Sequence, residues 1–263
     1  MSVPATLVKE LRDQTGAGMM DVKRALEETN GDLEAAKKLL RERGMAQAAK
    51  RAGRETSEGI VLVTVSGHIG ALAAIGCETE PVSKNAEFIA FAERALEAVE
   101  AGGQAVEGLD TERTELVARL GENIVVVDAV RMEAGEGESL AEYVHPPANK
   151  IGVLLRLKGE NPVVARQLAM HISFAKPLYR TRDEIPAADV DAEREIYSKQ
   201  PDLQSKPEDV REKIVEGMLQ KCFFAESVLS EQAWIHDSAK TVGKALEEAG
   251  LEVLEFRRAS VAG

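Results

Sequence analysis

The chain has 263 residues, of which 44% are hydrophobic, 30% charged and 4% aromatic, a composition typical of a globular protein with an aliphatic core. This length provides enough core for one large domain or two modest ones. The formal net charge of −12 argues against general nucleic-acid binding, which needs a dense surface of Lys and Arg. The charge is uneven, because residues 1–55 have a net charge of +2 and the remaining 208 residues carry −14.

Nothing in the sequence indicates a membrane span or a secretion signal. No apolar run approaches the ~18 residues that a spanning helix needs, and the N-terminus lacks the apolar segment of a signal peptide. The two cysteines, Cys77 and Cys222, lie far apart and form no Cys-x-x-Cys motif. We therefore expect a reduced cytoplasmic protein.

Residues 4–44 have the apolar spacing of three short helices. Pro4 suits a first helical position, Asp32 is a natural N-cap for the third helix, and Gly44 is expected to end it. The segment 45–59, rich in Ala, Lys and Arg, is expected to be a helical tail and a linker. A unit of this size is close to the lower limit for an independent core and is typical of a docking module.

Two adjacent methionines, Met19 and Met20, follow Gly16-Ala17-Gly18 at the start of the second helix. An amphipathic helix can turn at most one of two adjacent side chains fully inward. Either both methionines pack between the helices, or at least one of them belongs to a surface that contacts another molecule.

The rest of the chain alternates between strand and helix patterns. The first half predicts two strands within 60–77, a helix over 86–100 capped by Asn85, a helix near 111–120, a strand over 124–132 and a surface turn over 133–139. The second half predicts a strand over 151–157, a helix from Pro162 that is capped by Asn161 and stopped by Pro177, a helix over 239–249 and a strand over 251–257.

Residues 187–226 have a different pattern, with two charged amphipathic helices separated by the sequence PDLQ. A Ser205-x-x-Glu208 capping box is expected to open the second helix. The segment predicts an antiparallel helical hairpin that projects from the body. Together these elements predict an α+β fold with mostly antiparallel sheets.

No catalytic constellation is evident. The chain has no GxxxxGK[ST] motif, and the GAG triplet before Met19 follows no strand, so it does not read as a dinucleotide fingerprint. The four histidines are scattered without metal-ligand spacing. A cysteine hydrolase using Cys77 is the enzyme alternative, but a cysteine that ends an Ala-rich strand is more often a small buried apolar residue. The sequence therefore favours a binding protein without catalytic residues, metal or cofactor.

The segment LVKELRDQTGAGMMDVKRALEETNGDLEAAKKLLRERG, residues 7–44, closely resembles the N-terminal module of the elongation factor Ts family. The resemblance continues in order through CETEPVSKNAEFIAFA, LVARLGENI, LAMHISFAKP and SEQAWIHDSAKTVGKAL, so it covers nearly the whole chain. Members of this family promote GDP release from the translational GTPase elongation factor Tu. The resemblance implies that elongation factor Tu is the partner, with no direct contact to nucleic acid or membrane.

The family fold implied by the resemblance is a ubiquitin-associated-like three-helix domain followed by a two-subdomain core. We place these units at 1–54, 55–141 and 142–263, with the helical hairpin inserted at about 187–226. The resemblance also implies a set of partner-binding residues. They are Arg12, Met19, Met20, Lys23, Thr79, Glu80, Pro81, Val82, Leu120, Gly121, His145, Ile235 and His236. Trp234, beside the last two, is expected to be a buried anchor.

One expected contact departs from the family pattern. Relatives have Asp-Phe after the threonine, and that phenyl ring is inserted into the nucleotide domain of elongation factor Tu, where it disturbs the magnesium site. Here Thr79 is followed by Glu80 and Pro81, which keep the negative charge but supply no ring. Proline fixes φ, so we expect a stiffer segment with a shorter reach.

Three questions stay open at the level of sequence. The chain could sequester its partner without accelerating exchange. Complexes of this family form either one-to-one or two-by-two, and both stoichiometries fit. The helical hairpin could contact the partner or extend into solvent.

Overall fold

The computed structural model describes residues 3–102 and 108–261. The N-terminal helices are α1 (Ala5–Thr15), α2 (Met19–Glu28) and α3 (Leu33–Arg51). A small fully buried core joins them, consisting of Leu11, Val22, Ala25, Leu26 and Ala36. Asp32 caps α3 as predicted, because its carboxylate accepts a hydrogen bond of 3.0 Å from the backbone N–H of Ala35. The three-helix unit is confirmed, whereas its likeness to a ubiquitin-associated domain stays a prediction.

The predicted end of α3 at Gly44 is wrong, since the helix continues to Arg51. Gly44 is buried, and a Cβ at this position would lie 2.7 Å from the Cβ of Ala118. The glycine therefore permits close approach to a helix of the core, and this packing outweighs its low helix propensity.

The first sheet is formed by β1 (Glu58–Ser66), β2 (Ile69–Cys77) and β3 (Ile124–Glu133), antiparallel in the order β1-β2-β3. A short helix α4 (Glu80–Ser83), which we did not predict, connects it to α5 (Ala86–Ala101), and α6 (Asp110–Leu120) precedes β3. Phe88 and Phe91 of α5 are fully buried against this sheet. Asn85 caps α5 as predicted, accepting from the N–H of Glu87 at 2.8 Å.

The second sheet contains β4 (Glu138–Val144), β5 (Ile151–Lys158) and β8 (Glu252–Ser260), antiparallel in the order β4-β5-β8. Strand β4 was not predicted, and the supposed turn over 133–139 overlaps the ends of β3 and β4. Helix α7 (Pro162–Ala175) packs on this sheet and is capped by Asn161 as predicted. Phe174 near its end is 77% exposed, so the face of α7 that packs on the sheet does not include this phenylalanine.

The two sheets pack against each other through a shared apolar layer that includes Val61, Leu72 and Leu154. Close approach depends on Gly152, where a Cβ would lie 2.5 Å from Cγ1 of Val61. The bidentate pair between Arg257 of β8 and Asp128 of β3, at 2.6 and 2.9 Å, bridges the sheets at the surface. This packing fixes the two halves of the core relative to each other.

The predicted helical hairpin is confirmed as α8 (Ala187–Ser198) and α10 (Glu208–Met218), joined by a helical turn α9 (Pro201–Gln204). Chain 219–224 continues α10 as a π-helix and leads into α11 (Ala225–Ser227). The hairpin has a core of its own, formed by Ile185, Leu203, Val215, Leu219, Phe224 and Val228. The predicted capping box is wrong, because Pro207 occupies the N-cap of α10 and no side chain caps that helix.

The C-terminal part contains the hairpin of β6 (Ala233–Trp234) and β7 (Asp237–Thr241), then α12 (Val242–Ala249). The predicted start of this helix at Ala239 is wrong, since residues 237–241 pair with β6. Thr241 is the true N-cap, and its hydroxyl accepts from the N–H of Lys244 at 3.2 Å. Helices and antiparallel sheets in separate layers confirm the α+β fold class. Across residues 3–102 and 108–261, no helix combines the length and apolar character that a membrane crossing needs.

Candidate functional site

Met19 and Met20 occupy the first two positions of α2, with 57% and 61% of their surface exposed. Val22, Ala25 and Leu26 supply the buried face of the same helix. The alternative in which both methionines pack between the helices is therefore wrong. Two adjacent, unbranched and polarisable side chains that are exposed at a helix start form an adaptable apolar surface.

Arg12 and Lys23 are also exposed, on α1 and α2. Lys23 lies 3.8 Å from Glu27 in a solvent-exposed i,i+4 pair, an interaction that stabilises a helix only weakly. Lys23 can therefore leave this ion pair at little energetic cost.

The segment Thr79–Val82 lies where β2 passes into α4, and Glu122 holds it in place. The backbone N–H of Thr79 donates to one oxygen of this carboxylate at 3.0 Å, and the Thr79 hydroxyl donates to the other at 2.5 Å. Pro81 is exposed in the first turn of α4, and Val82 packs partly on the core beneath the first sheet. The segment is thus a fixed helical turn.

Glu80 is exposed and paired with Lys84 one helical turn later at 2.6 Å. Hydrogen bonding from Lys84 lowers the pKa of the Glu80 carboxyl. The carboxylate is therefore negatively charged at neutral pH and open to solvent.

Leu120 and Gly121 adjoin this turn at the end of α6. Leu120 is partly buried against the first core cluster, and Gly121 has the left-handed conformation of a C-cap, with φ of 81°. Because Glu122 follows directly and binds Thr79, the structure brings Leu120, Gly121 and the 79–82 turn together. The two predicted segments therefore lie next to each other, joined through Glu122.

The other predicted residues lie at the end of β4, an edge strand of the second sheet, and in the separate β6-β7 hairpin. His145 is exposed just beyond β4, and its Nδ1 lies 3.0 Å from the hydroxyl of Tyr143. Ile235 and His236 form the turn between β6 and β7, with Ile235 42% exposed. Trp234 is buried as predicted and contacts His236 with ring centroids 5.0 Å apart.

A buried histidine supports this turn. His171 of α7 is fully buried and stacks on Trp234, with ring centroids 5.4 Å apart. Its Nε2 lies 2.9 Å from the amide oxygen of Gln232, and its Nδ1 accepts from the N–H of Ile235 at 3.4 Å. One donor and one acceptor describe a neutral imidazole, and burial lowers the pKa of His171 accordingly.

The structure gives no support to the cysteine hydrolase alternative. Cys77 is fully buried, and burial raises the pKa of its thiol to about 12. A thiolate nucleophile would need the opposite shift. Within the described part of the chain, no group of three or more His, Cys, Asp or Glu side chains is arranged to hold a metal ion.

Sequence reasoning missed the residues that hold the predicted surfaces in place. Glu122 fixes Thr79 across 43 positions of sequence, and His171 fixes Ile235 across 64. Glu122 belongs to no periodic pattern or short motif with a mechanism, whereas His171 falls on the buried face of α7, three residues after Leu168, as a polar residue among apolar ones. Glu122 stands out in the sequence only as part of the segment LVARLGENI that carries the family resemblance.

Comparisons with known proteins agree with one another. The family model described as Elongation factor TS matches residues 78–263. Elongation factor Ts of Shewanella amazonensis is 42% identical, the match covering 99% of this chain and 91% of the relative. The corresponding proteins of Dinoroseobacter shibae and Thioalkalivibrio sulfidiphilus are 42% and 40% identical, with 99% of this chain and 93% and 92% of the relatives covered. The chain therefore belongs to the elongation factor Ts family of translation elongation factors.

Proposed function

We propose that this chain binds elongation factor Tu in its GDP-bound state and accelerates release of the nucleotide. The observation that carries the proposal is the exposed pair Met19 and Met20, placed on a helix whose remaining apolar residues are buried. Such a pair has no role in the core of its own domain. Its exposure favours a contact with a partner that is bound and later released.

The turn at 79–82 supplies the second proposed contact. Thr79 is held through two hydrogen bonds and Pro81 limits backbone motion, so the segment changes shape little on binding. A rigid, negatively charged turn pressed against a nucleotide domain disfavours a bound magnesium–diphosphate group by geometry and charge. This chain would therefore use Glu80 and the turn itself where relatives use a phenyl ring.

Exchange is a coupling between two ligands of one protein, and the coupling is reciprocal. Each tenfold gain in GDP release corresponds to about 1.4 kcal/mol of barrier. An acceleration of several decades requires several kcal/mol, which no single side chain here supplies. We propose that Met19 and Met20, the 79–82 turn with Leu120 and Gly121, and His145 with Ile235 and His236 share this work, with Arg12 and Lys23 contributing charge.

Multiple-turnover exchange tests the proposal against sequestration. Elongation factor Tu loaded with a fluorescent GDP analogue is mixed with excess unlabelled GDP and one-hundredth of an equivalent of this chain. An exchange factor discharges the whole population over many turnovers. A sequestering protein that binds only the nucleotide-free form would leave the rate at its spontaneous value, and that result would overturn the proposal.

Light scattering of the purified complex distinguishes the one-to-one and two-by-two assemblies that the family resemblance allows. The same complex, prepared with a chain lacking the helical hairpin of 187–226, shows whether this arm contributes to binding.

A further inference from the structure

The three N-terminal helices meet the core along a seam between α3 and α6. Gly44 approaches Ala118, Arg41 lies 3.4 Å from Glu115, and an Arg51 guanidinium nitrogen donates to the carbonyl of Val117 at 3.3 Å. These contacts spread over residues 41–51 of α3 but fall within one turn of α6, residues 115–118. A single seam of this kind fixes position well but resists rotation about its own axis poorly.

A second point of contact lies across a cleft of about 220 Å³ between these helices and α6. There the side chain of Arg119 crosses the turn between α1 and α2. A Cβ at Gly16 would lie 2.5 Å from Cδ and 3.5 Å from Cγ of Arg119, so the stem of this side chain rests against the bare backbone of Gly16. Two features require a glycine at this position: the close contact with Arg119, and a φ of 65°, which lies in the left-handed region.

Both ends of this contact are held. The Nε–H of Arg119 donates to Glu87 of α5 at 2.7 Å, and the arginine side chain is only 27% exposed. The turn is fixed to α1 because the N–H of Gly16 donates to the carbonyl of Arg12 at 2.8 Å and the Thr15 hydroxyl donates to the carbonyl of Leu11 at 2.7 Å. Arg119 thus connects a fixed turn to a fixed core helix.

We propose that Arg119, oriented by Glu87, is a positioning residue that sets the angle at which Met19 and Met20 are presented relative to the core. Gly16 lies three residues before Met19, Leu120 and Gly121 directly follow Arg119, and Glu87 lies on the helix after the 79–82 turn. The side chain therefore lies at the junction of the two surfaces that must engage one partner together. The inference rests on the proposed function, which needs both surfaces in a fixed relation.

A double-mutant cycle separates positioning from direct contact and from general stability. We expect Arg119→Ala to weaken binding to elongation factor Tu·GDP five- to tenfold in the wild-type chain. In a Met19→Ala/Met20→Ala background the same change should weaken binding less than twofold, because nothing remains to be positioned. Equal losses in the two backgrounds would overturn the proposal, and Glu87→Gln, which keeps the arginine stem, should show the same coupling with a smaller loss.

Two glycines of the N-terminal helices give a matched pair of variants. Gly16 and Gly31 both have positive φ, 65° and 85°, but nothing lies within 4 Å of a Cβ placed at Gly31. Gly31→Ala therefore measures the backbone strain alone, whereas Gly16→Ala adds displacement of Arg119. The proposal expects at least a threefold greater loss of affinity for Gly16→Ala at a similar thermal midpoint, and equal losses would contradict it.

A partner-free measurement keeps the inference separate from the proposed function. Spin labels at the exposed positions Asp13 of α1 and Glu93 of α5, in a Cys222→Ser background, report the angle of the N-terminal helices. Arg119→Ala should broaden the distance distribution between the labels, and an unchanged distribution would refute the positioning role. If the wild-type chain failed to bind elongation factor Tu·GDP, the proposed function would fail while this distance measurement still tested Arg119.

Discussion

Truncation of Met19 and Met20 is the sharpest test of the proposed contact surface. Full burial of a methionine side chain contributes about 1.5–3 kcal/mol of favourable free energy relative to its exposure to water. More than half of each side chain is still exposed in the free protein. Because alanine keeps the first carbon of the side chain, each truncation should remove about 1 kcal/mol of binding free energy. The double variant Met19→Ala/Met20→Ala should therefore bind elongation factor Tu·GDP about 30-fold more weakly.

The same substitutions should leave the fold unaffected. Exposed side chains away from caps and networks change the free energy of unfolding by less than about 0.5 kcal/mol. A buried neighbour gives the contrast, since Leu26→Ala should cost about 2–5 kcal/mol by leaving a cavity. Titration calorimetry gives the affinity and thermal denaturation gives the stability.

Met45 supplies the matched control, because it is a methionine of α3 with 54% of its surface exposed but lies outside the predicted set. Met45→Ala should bind the partner with nearly wild-type affinity. Unchanged binding by the Met19/Met20 double variant, or an equal loss for Met45→Ala, would refute the reasoning that links these two exposed side chains to the partner.

Three further predictions concern the turn, the thiols and the buried histidine. Pro81→Phe breaks no hydrogen bond, and the backbone N–H that it adds needs no partner within the helix because it lies in the first helical turn. The variant should bind with nearly wild-type affinity and raise the exchange rate. A slower exchange would show that this turn uses another geometry. Iodoacetamide at pH 8 should modify one thiol, Cys222, and reach Cys77 only after denaturation, because burial raises the pKa of Cys77 to about 12. Rapid alkylation of both thiols in the folded protein, detected by mass spectrometry, would contradict this. Burial lowers the pKa of His171 below its usual value of about 6.5, so the unfolded chain binds the proton first and the free energy of unfolding falls as the pH drops below about 6.5. His171→Phe should lower the thermal midpoint, because it leaves buried Gln232 short of a hydrogen-bond partner at a cost of about 1–3 kcal/mol. It should also flatten the dependence of stability on pH in this range. Parallel pH profiles for the wild type and the variant would disprove the assignment of this dependence to His171.

Local capping signals predicted three helix starts correctly, while the Ser205-x-x-Glu208 box failed because Pro207 occupies the N-cap of α10. Asp32, Asn85 and Asn161 each cap the helix that was expected, because an N-cap depends on residues two or three positions away. Elements that depend on distant partners were predicted less well. Residues 239–241 read as the start of a helix, but they belong to the strand 237–241, which pairs with Ala233 and Trp234.

The predicted partner-binding residues show the same contrast: features set by neighbouring residues can be predicted from the sequence, and features set by distant contacts cannot. Exposure of at least one of Met19 and Met20 could be argued from sequence, since one helix cannot bury two adjacent residues equally. The clamp of Glu122 on Thr79 could not, because these residues meet only after β2, β3 and α6 are assembled. The sequence predicts a helix end at Gly44, but α3 continues through it. Gly44 and Gly16 each admit a side chain of α6, and no local pattern indicates a contact of this kind.

Stopped-flow measurement of GDP release tests the central claim most directly. Elongation factor Tu carrying a fluorescent GDP analogue is mixed with a saturating concentration of this chain, and the decay is compared with spontaneous release. The proposed exchange activity requires a GDP off-rate that rises with the concentration of this chain to a plateau at least a thousandfold above the spontaneous value. Such an acceleration is equivalent to lowering the barrier by about 4 kcal/mol. A saturating complex that releases GDP at the spontaneous rate would contradict the account.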